Sequence, residues 1–180
     1  MKTKTLIIVL VVVVVIAGGC FIFGTRSVNA PAPKSPVVFD PLDATYIIDG
    51  QSVTLVNGKA ESSATPGSAT KITTMIFGIP VNGNLNNDGN ADAAVIIVQN
   101  PGGSGTFYYI AAAINTGNSA KGTNAILLGD RIAPQNIEIA SGEIIANYAD
   151  RRPNESFAVQ PSIGVSKYFF LSGTTLVEKQ

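Results

Sequence analysis

From residue 44 onward the chain is punctuated by dipeptides that reverse an extended backbone, and no stretch between them carries a helical period. Asp49-Gly50, Asn57-Gly58, Ser141-Gly142 and Ser172-Gly173 each border short runs rich in Ile, Val, Leu, Tyr and Phe. Such pairs tolerate the left-handed backbone that tight hairpins require. The pattern predicts strands over 46–48 and 53–56 joined by Asp49-Gly50, then over 71–79, 91–99, 106–115 and 124–128. It continues with 135–140 and 143–149 joined by Ser141-Gly142, and a closing hairpin of 166–171 and 174–178. The small, polar residues 61–70 read as a surface loop, with room for a short helix there or within 150–165. The run 91–99 is almost wholly apolar rather than alternating, which marks a central strand covered on both faces. Nine or ten strands at hairpin spacing imply one all-β, mainly antiparallel domain over 44–180, built as a barrel or a sandwich.

Ahead of this domain lies a segment of another kind. Lys2 and Lys4 precede an unbroken apolar run over 6–23, which is 18 residues, or about 27 Å as a helix, enough to cross a bilayer core. Nine of the eleven residues over 6–16 are β-branched and there is no polar face, which argues against a water-facing helix. Positive charge before the run orients the N-terminus to the cytoplasm and the domain to the other side. Residues 1–24 are thus read as a signal anchor, a lipoprotein signal or a cleaved signal peptide. Ile16-Ala17-Gly18-Gly19-Cys20 resembles a permissive lipobox, making Cys20 the candidate lipidation site, although Ala17 stands where Leu is usual. Residues 25–43, with Pro31, Pro33, Pro36 and Pro41 among small and polar residues, read as an extended stalk. Val37-Val38-Phe39 offers an alternative, a first strand or docking segment.

Composition removes several chemistries. There is no His, and the only Cys is Cys20, so Ser-His-Asp and Cys-His centres, thiolate zinc sites and disulfides have no residues to form from in the domain. Formal net charge is zero, which offers nucleic acid no cationic footing. What chemistry remains rests on carboxylates, Lys, Tyr or a hard cation.

One constellation has a mechanism. Asn84-Leu85-Asn86-Asn87-Asp88-Gly89-Asn90-Ala91-Asp92 sets oxygen-bearing side chains at alternate positions with Gly at the sixth. A tight loop of this kind converges oxygens on one point, as Ca²⁺ requires. The stretch resembles the calcium loops of FG-GAP and VCBS-type repeats, and more distantly of dockerins, where such a loop also precedes an apolar strand. That resemblance implies side-chain ligands at Asn84, Asn86, Asp88 and Asp92 and the backbone carbonyl of Asn90 as a fifth. It occurs once, so no repeat propeller is implied, and Asn84 replaces the usual Asp, which implies weak binding. The same residues also make ion-free turns through side-chain to backbone hydrogen bonds.

Gly129-Asp130-Arg131 and Ala149-Asp150-Arg151 each set an acid beside a base after a strand, and facing loops would bring them into one polar site. Tyr108-Tyr109 and Tyr168-Phe169-Phe170 are candidates for a ligand groove, or for core. Pro101-Gly102-Gly103-Ser104-Gly105 lacks the Lys and Ser/Thr of a phosphate-binding loop. Asp43-Ala44-Thr45-Tyr46, Gly122-Thr123-Asn124-Ala125, Leu128-Gly129-Asp130-Arg131 and Asn147-Tyr148-Ala149-Asp150-Arg151 resemble a group of small bacterial lipoproteins and membrane-anchored envelope proteins, a resemblance that brings placement but no activity. The functional expectation is a tethered cell-envelope binding or scaffolding module whose partner is an envelope protein or polysaccharide. The alternatives are a small hydrolase using Asp130 and Asp150 on envelope polysaccharide, and a subunit of an envelope complex.

Overall fold

The structure is a computed structural model describing residues 38–180. The apolar leader, Cys20 and most of the Pro-rich stretch lie outside the described residues. Among the described residues no helix is long and apolar enough to cross a membrane. Beyond one 3₁₀ turn at Pro41–Asp43, capped by Asp40, whose Oδ1 accepts the Leu42 N–H at 2.8 Å, the regular structure of the described residues is all strand. The order is β1 (Thr45–Ile48), β2 (Gln51–Thr54), β3 (Lys59–Ser63), β4 (Lys71–Gly83), β5 (Asp92–Asn100), β6 (Phe107–Asn115) and β7 (Ala120–Gly122). It continues with β8 (Ile126–Asp130), β9 (Ala133–Ala140), β10 (Glu143–Asp150), β11 (Ile163–Ser172) and β12 (Thr175–Glu178).

All ladders between these strands are antiparallel. The hairpin turns form where the dipeptides dictate. Asp49 and Gly50 have φ of 49° and 78°, and Ser141 and Gly142 of 52° and 78°, the doubly left-handed turn that matches strand twist. Asn57-Gly58 does the same at φ 51° and 76°, so the chain returns at once into β3. That strand occupies part of the stretch expected to be loop. The last hairpin turns one residue later than expected, at Gly173-Thr174, because Ser172 pairs with Thr175.

Of the two expected architectures, barrel or sandwich, the sheets do not close into the barrel. The main sheet runs β3-β4-β5-β6-β7, with β8 pairing the same edge of β6 beyond β7; a second sheet runs β12-β11-β10-β9; β1 and β2 form a third, two-stranded one. Open edges remain because burial is achieved by stacking faces. One core lies between the main and second sheets, joining Ala94, Ile96, Ile110 and Ala112 to Ile144, Ala146, Tyr148 and Phe169. The other lies on the opposite face of the main sheet, where Tyr46, Ile48 and Leu55 cover Ala93, Val95, Ile97 and Ala111. Phe39 packs against this second core, while Val38 is exposed. β5 is therefore buried along both faces from Asp92 to Val98, as its unbroken apolar run requires.

The β1–β2 hairpin joins the main sheet at a break in the β6 edge. Between β7 and β8, the Thr123 hydroxyl accepts the Ala112 N–H at 3.0 Å. This frees the Thr123 carbonyl to accept the Ile47 N–H at 3.0 Å, and Ala125 N–H donates to Ile47 O at 2.7 Å. Gly122 sits where a Cβ would fall 2.3 Å from the Thr45 carbonyl oxygen, so only glycine allows β1 this close. In β4 the register to β5 shifts between Phe77 and Val81. Gly78, with φ 75°, Ile79 and Pro80 bulge outward there, and proline's missing N–H is tolerated off the ladder.

Candidate metal centre

The loop of interest joins β4 to β5. Asn87 and Gly89 hold left-handed φ values of 60° and 90°, conformations that Asn and Gly adopt at low cost. Leu85 is the loop's anchor, buried in the first core. Within the loop Asn86 Oδ1 accepts the Asp88 N–H at 3.0 Å and Asp88 Oδ1 accepts the Asn90 N–H at 2.8 Å. Asn86 Nδ2 donates to Asp88 Oδ2 at 3.0 Å. The Asn90 amide, then the Asn86 side chain, hold the Asp88 carboxyl below the usual carboxylate range, so it is anionic at neutral pH.

Asp92 differs from the other four. It is fully buried, and both its oxygens are taken by backbone amides. Oδ2 accepts Leu85 N–H at 2.9 Å and Oδ1 accepts Asn115 N–H at 2.8 Å. Asn115 Nδ2 in turn donates to Ala91 O at 3.1 Å. Asp92 is thus a strut that closes the loop and ties it to the end of β6, with only its remaining lone pairs left for ligation.

Turn chemistry accounts for Asn86, Asp88 and Asp92 but not for Asn84. Asn84 Oδ1 is buried and accepts no hydrogen bond among the described residues, a costly condition for a polar oxygen without a partner. The donor set at the loop is all oxygen with two carboxylates, the chemistry of a hard cation such as Ca²⁺ rather than of zinc or copper. Among the described residues no three His, Cys, Asp or Glu side chains come together, so an ion here would meet little negative charge and be held weakly. The residues fit calcium in kind, and Asn84 Oδ1 is a buried loop oxygen that no hydrogen bond among the described residues occupies.

The two acid-base pairs do face each other. A Cβ at Gly129 would lie 3.9 Å from Asp150 Oδ2, and Arg151 NH1 donates to Arg131 O at 2.8 Å. Their bonding is structural in character. Arg131 chelates Asp130 through Nε at 3.1 Å and NH2 at 2.7 Å, and Asp130 Oδ1 also accepts the Thr106 N–H at 2.8 Å. The Arg131 bonds, then the Thr106 amide, hold Asp130 below the usual range. Arg151 spends its guanidinium on the carbonyls of Val159, Arg131 and Phe157, and the Arg131 guanidinium lies 3.8 Å over the Phe157 ring. Arg151 therefore fastens the 152–162 loop, a role invisible in a sequence where it reads as half of an ion pair.

The aromatics do not converge on one groove. Tyr109 is buried and donates to Asp49 Oδ2 at 2.8 Å, Phe169 is fully buried in the first core, and Tyr108 meets Phe77 edge-on at 5.5 Å. Tyr168 and Phe170 stand half-exposed on the outer side of the second sheet. A concavity lies elsewhere, a groove of about 530 Å³ between β2 and β3 with Ile72, Thr74 and Gln99 on its floor. No local pattern announces it, since it is made where β2 and β3 part. Comparison of the chain with protein-family models, curated proteins and solved structures returned no match.

Proposed function

We propose that the chain is a non-enzymatic binding or scaffolding module of the cell envelope. The N-terminal segment tethers it to the membrane, the β domain stands on the extracytoplasmic side, and one Ca²⁺ stiffens the loop over 84–92. The observation that carries the metal is the buried Asn84 Oδ1, which has no hydrogen-bond partner among the described residues, in the same loop as the anionic Asp88 and the buried Asp92. The leader's charge and length support the tether. Non-enzymatic action is supported by the state of the acids: Asp130 is bound three times over by Arg131 and Thr106, and Asp92 twice by backbone.

The test is a thermal melt in chelator, then in 10 mM CaCl₂, with 10 mM MgCl₂ as control. A Kd of about 0.1 mM places that calcium at roughly 100 Kd, which stabilises by about 2.7 kcal/mol, on the order of 10 °C for a domain of this size. A rise specific to calcium and lost in Asp88→Ala supports the reading. Equal melts in all three buffers remove the ion from it.

The meeting of the Asp130 and Asp150 loops favours one second reading, a carboxylate hydrolase of envelope polysaccharide. Its ionised Asp130 would serve as base or nucleophile rather than acid. Glycan turnover that disappears in Asp150→Asn would establish it at the expense of the binding module.

A further inference from the structure

The groove between β2 and β3 opens from the turn where Val56 and Lys59 bond each other, and each of its walls is a strand with one edge unpaired among the described residues. In the β1–β2 ladder Ala44 O accepts Leu55 N–H, and antiparallel bonding recurs at every second residue. Tyr46 therefore bonds Val53 and Ile48 bonds Gln51, while Ser52 and Thr54 turn their N–H and C=O groups away from β1. The β1 side agrees: Ile47, opposite Ser52, bonds outward to Thr123 and Ala125. On β3 the same reasoning applies. Ile76 N–H donates to Gly58 O and Ala64 N–H to Thr70 O, so Ala60 and Ser62 serve β4 and Glu61 and Ser63 face outward. None of these four outward residues finds a backbone partner among the described residues, and all four line the groove.

The floor shows what is missing. Ile72, Thr74 and Gln99 lie on the same face of the main sheet as the second core; Thr74 is buried there, while Ile72 and Gln99 are only partly covered. A two-stranded layer is marginal, and a third strand beside β2 would both extend it and cover this floor. We propose that the groove accepts an extended polypeptide segment of a partner protein, which pairs with β2 through Ser52 and Thr54 and lies against β3. This rests on the reading of the chain as a binding module and names the class of its partner.

The chemistry favours a polypeptide over a glycan. Rows of N–H and C=O at the strand period recognise amide backbone, and no aromatic ring lines the groove to stack on a sugar. Nor does charge select the ligand, because Glu61 pairs with Lys59 at 2.8 Å and Asp49 accepts the Tyr109 hydroxyl. Alternate residues of the incoming strand would meet Val53, Ala60 and Ile72, so every second position should be small and apolar.

The full-length chain, immobilised in detergent micelles, is used to select from a displayed library of random linear nonapeptides, and affinities of the selected peptides are measured by fluorescence polarisation. Expected are peptides with alternating small apolar residues whose affinity falls at least tenfold on N-methylation at alternate positions. Ser52→Pro, which removes one outward N–H and leaves the β1 ladder intact, lowers affinity by a similar factor, while Ser52→Ala stays within about threefold. Because N-methylation alters only the peptide, its outcome does not depend on how Ser52→Pro folds. The slot is overturned if no peptide is enriched, if N-methylation is silent, or if self-association blocked by Ser52→Pro identifies a second copy as the occupant. Peptides that bind with N-methyl sensitivity but ignore Ser52→Pro overturn the slot while leaving the binding module standing. Glycan turnover by the chain overturns the module.

Discussion

Asp92 offers the sharpest test of how the loop over 84–92 is built. Its carboxylate accepts Leu85 N–H in a fully buried bond and Asn115 N–H in a partly buried one. Asp92→Ala strands both amides. An unsatisfied buried donor costs roughly 1–3 kcal/mol, and water can reach the second amide, so the expected loss is about 3 kcal/mol. Asp92→Asn keeps one acceptor oxygen but turns an NH₂ toward the other amide, and should lose about 2 kcal/mol on the same grounds. A loss of about 3 kcal/mol is a large share of the 5–15 kcal/mol typical of a domain and shifts Tm by on the order of 10 °C. The assay is equilibrium urea unfolding of residues 38–180 in chelator, so that no ion contributes, with the slope checked to be unchanged. If both variants stay within about 0.5 kcal/mol of the parent, below the cost of one stranded amide, Asp92 does not hold the loop and its role as strut is refuted.

Other outcomes follow from single contacts. Gly122→Ala drives a Cβ into the Thr45 carbonyl and should cost about 2 kcal/mol or more by overpacking, whereas Gly164→Ala, with open space around it, should be neutral or stabilise slightly; thermal melts compare them. Thr123→Val removes the acceptor of Ala112 N–H and the donor to Asn124 O at a fully buried site, so a loss of about 2 kcal/mol is expected in urea unfolding, with Thr123→Ser close to the parent. Asp130 has a depressed folded pKa, led by the Arg131 bond, so its stabilisation is present above its unfolded value and lost as pH falls through the folded one. Asp130→Asn should therefore narrow its stability gap to the parent as pH drops below about 4. Burial, with Asp150 adding, pushes Tyr148 up to about 12, and burial raises Tyr46 and Tyr109 as well. Stability from these three is whole below the unfolded value of about 10 and lost as pH rises beyond it, so in a spectrophotometric titration they should ionise only with alkaline unfolding.

Local signals in the sequence were legible because they are local in physics. Asp49-Gly50 and Ser141-Gly142 adopt the turns their side chains permit, and the apolar run of β5 becomes the strand covered on both faces. β7, only Ala120-Lys121-Gly122, carries no apolar period and is held by pairing with Ala113 to Asn115, so nothing in its own residues announces it. Barrel and sandwich were indistinguishable because closure depends on which faces meet, here decided by contacts such as Phe169 against the main sheet. At the loop the oxygen spacing was readable, but one of the two amides that Asp92 accepts belongs to Asn115, 23 residues further along, a pairing that only the folded chain reveals. Arg131 and Arg151 were read as halves of similar pairs; only the folded chain separates the one that chelates its neighbour from the one that collects carbonyls.

The seam between β1 and the β6 edge has a mechanical side. Whatever pulls on this chain from its N-terminal side transmits load through Val38 and Phe39 into the thinnest layer. That layer is joined to the main sheet's backbone through Ile47, by its bonds to Thr123 and Ala125, and at its other margin by Val56 with Lys59 and by Leu42 O, which accepts the Gly58 N–H. Under tension the hairpin should peel first, baring Ala93, Val95 and Ile97, while the face of β5 that packs on the second sheet stays dry. The same hairpin supplies the β2 wall of the groove, so force on the N-terminal side and occupancy of the groove act on one element, and a strand seated beside β2 would stiffen the layer that bears the load.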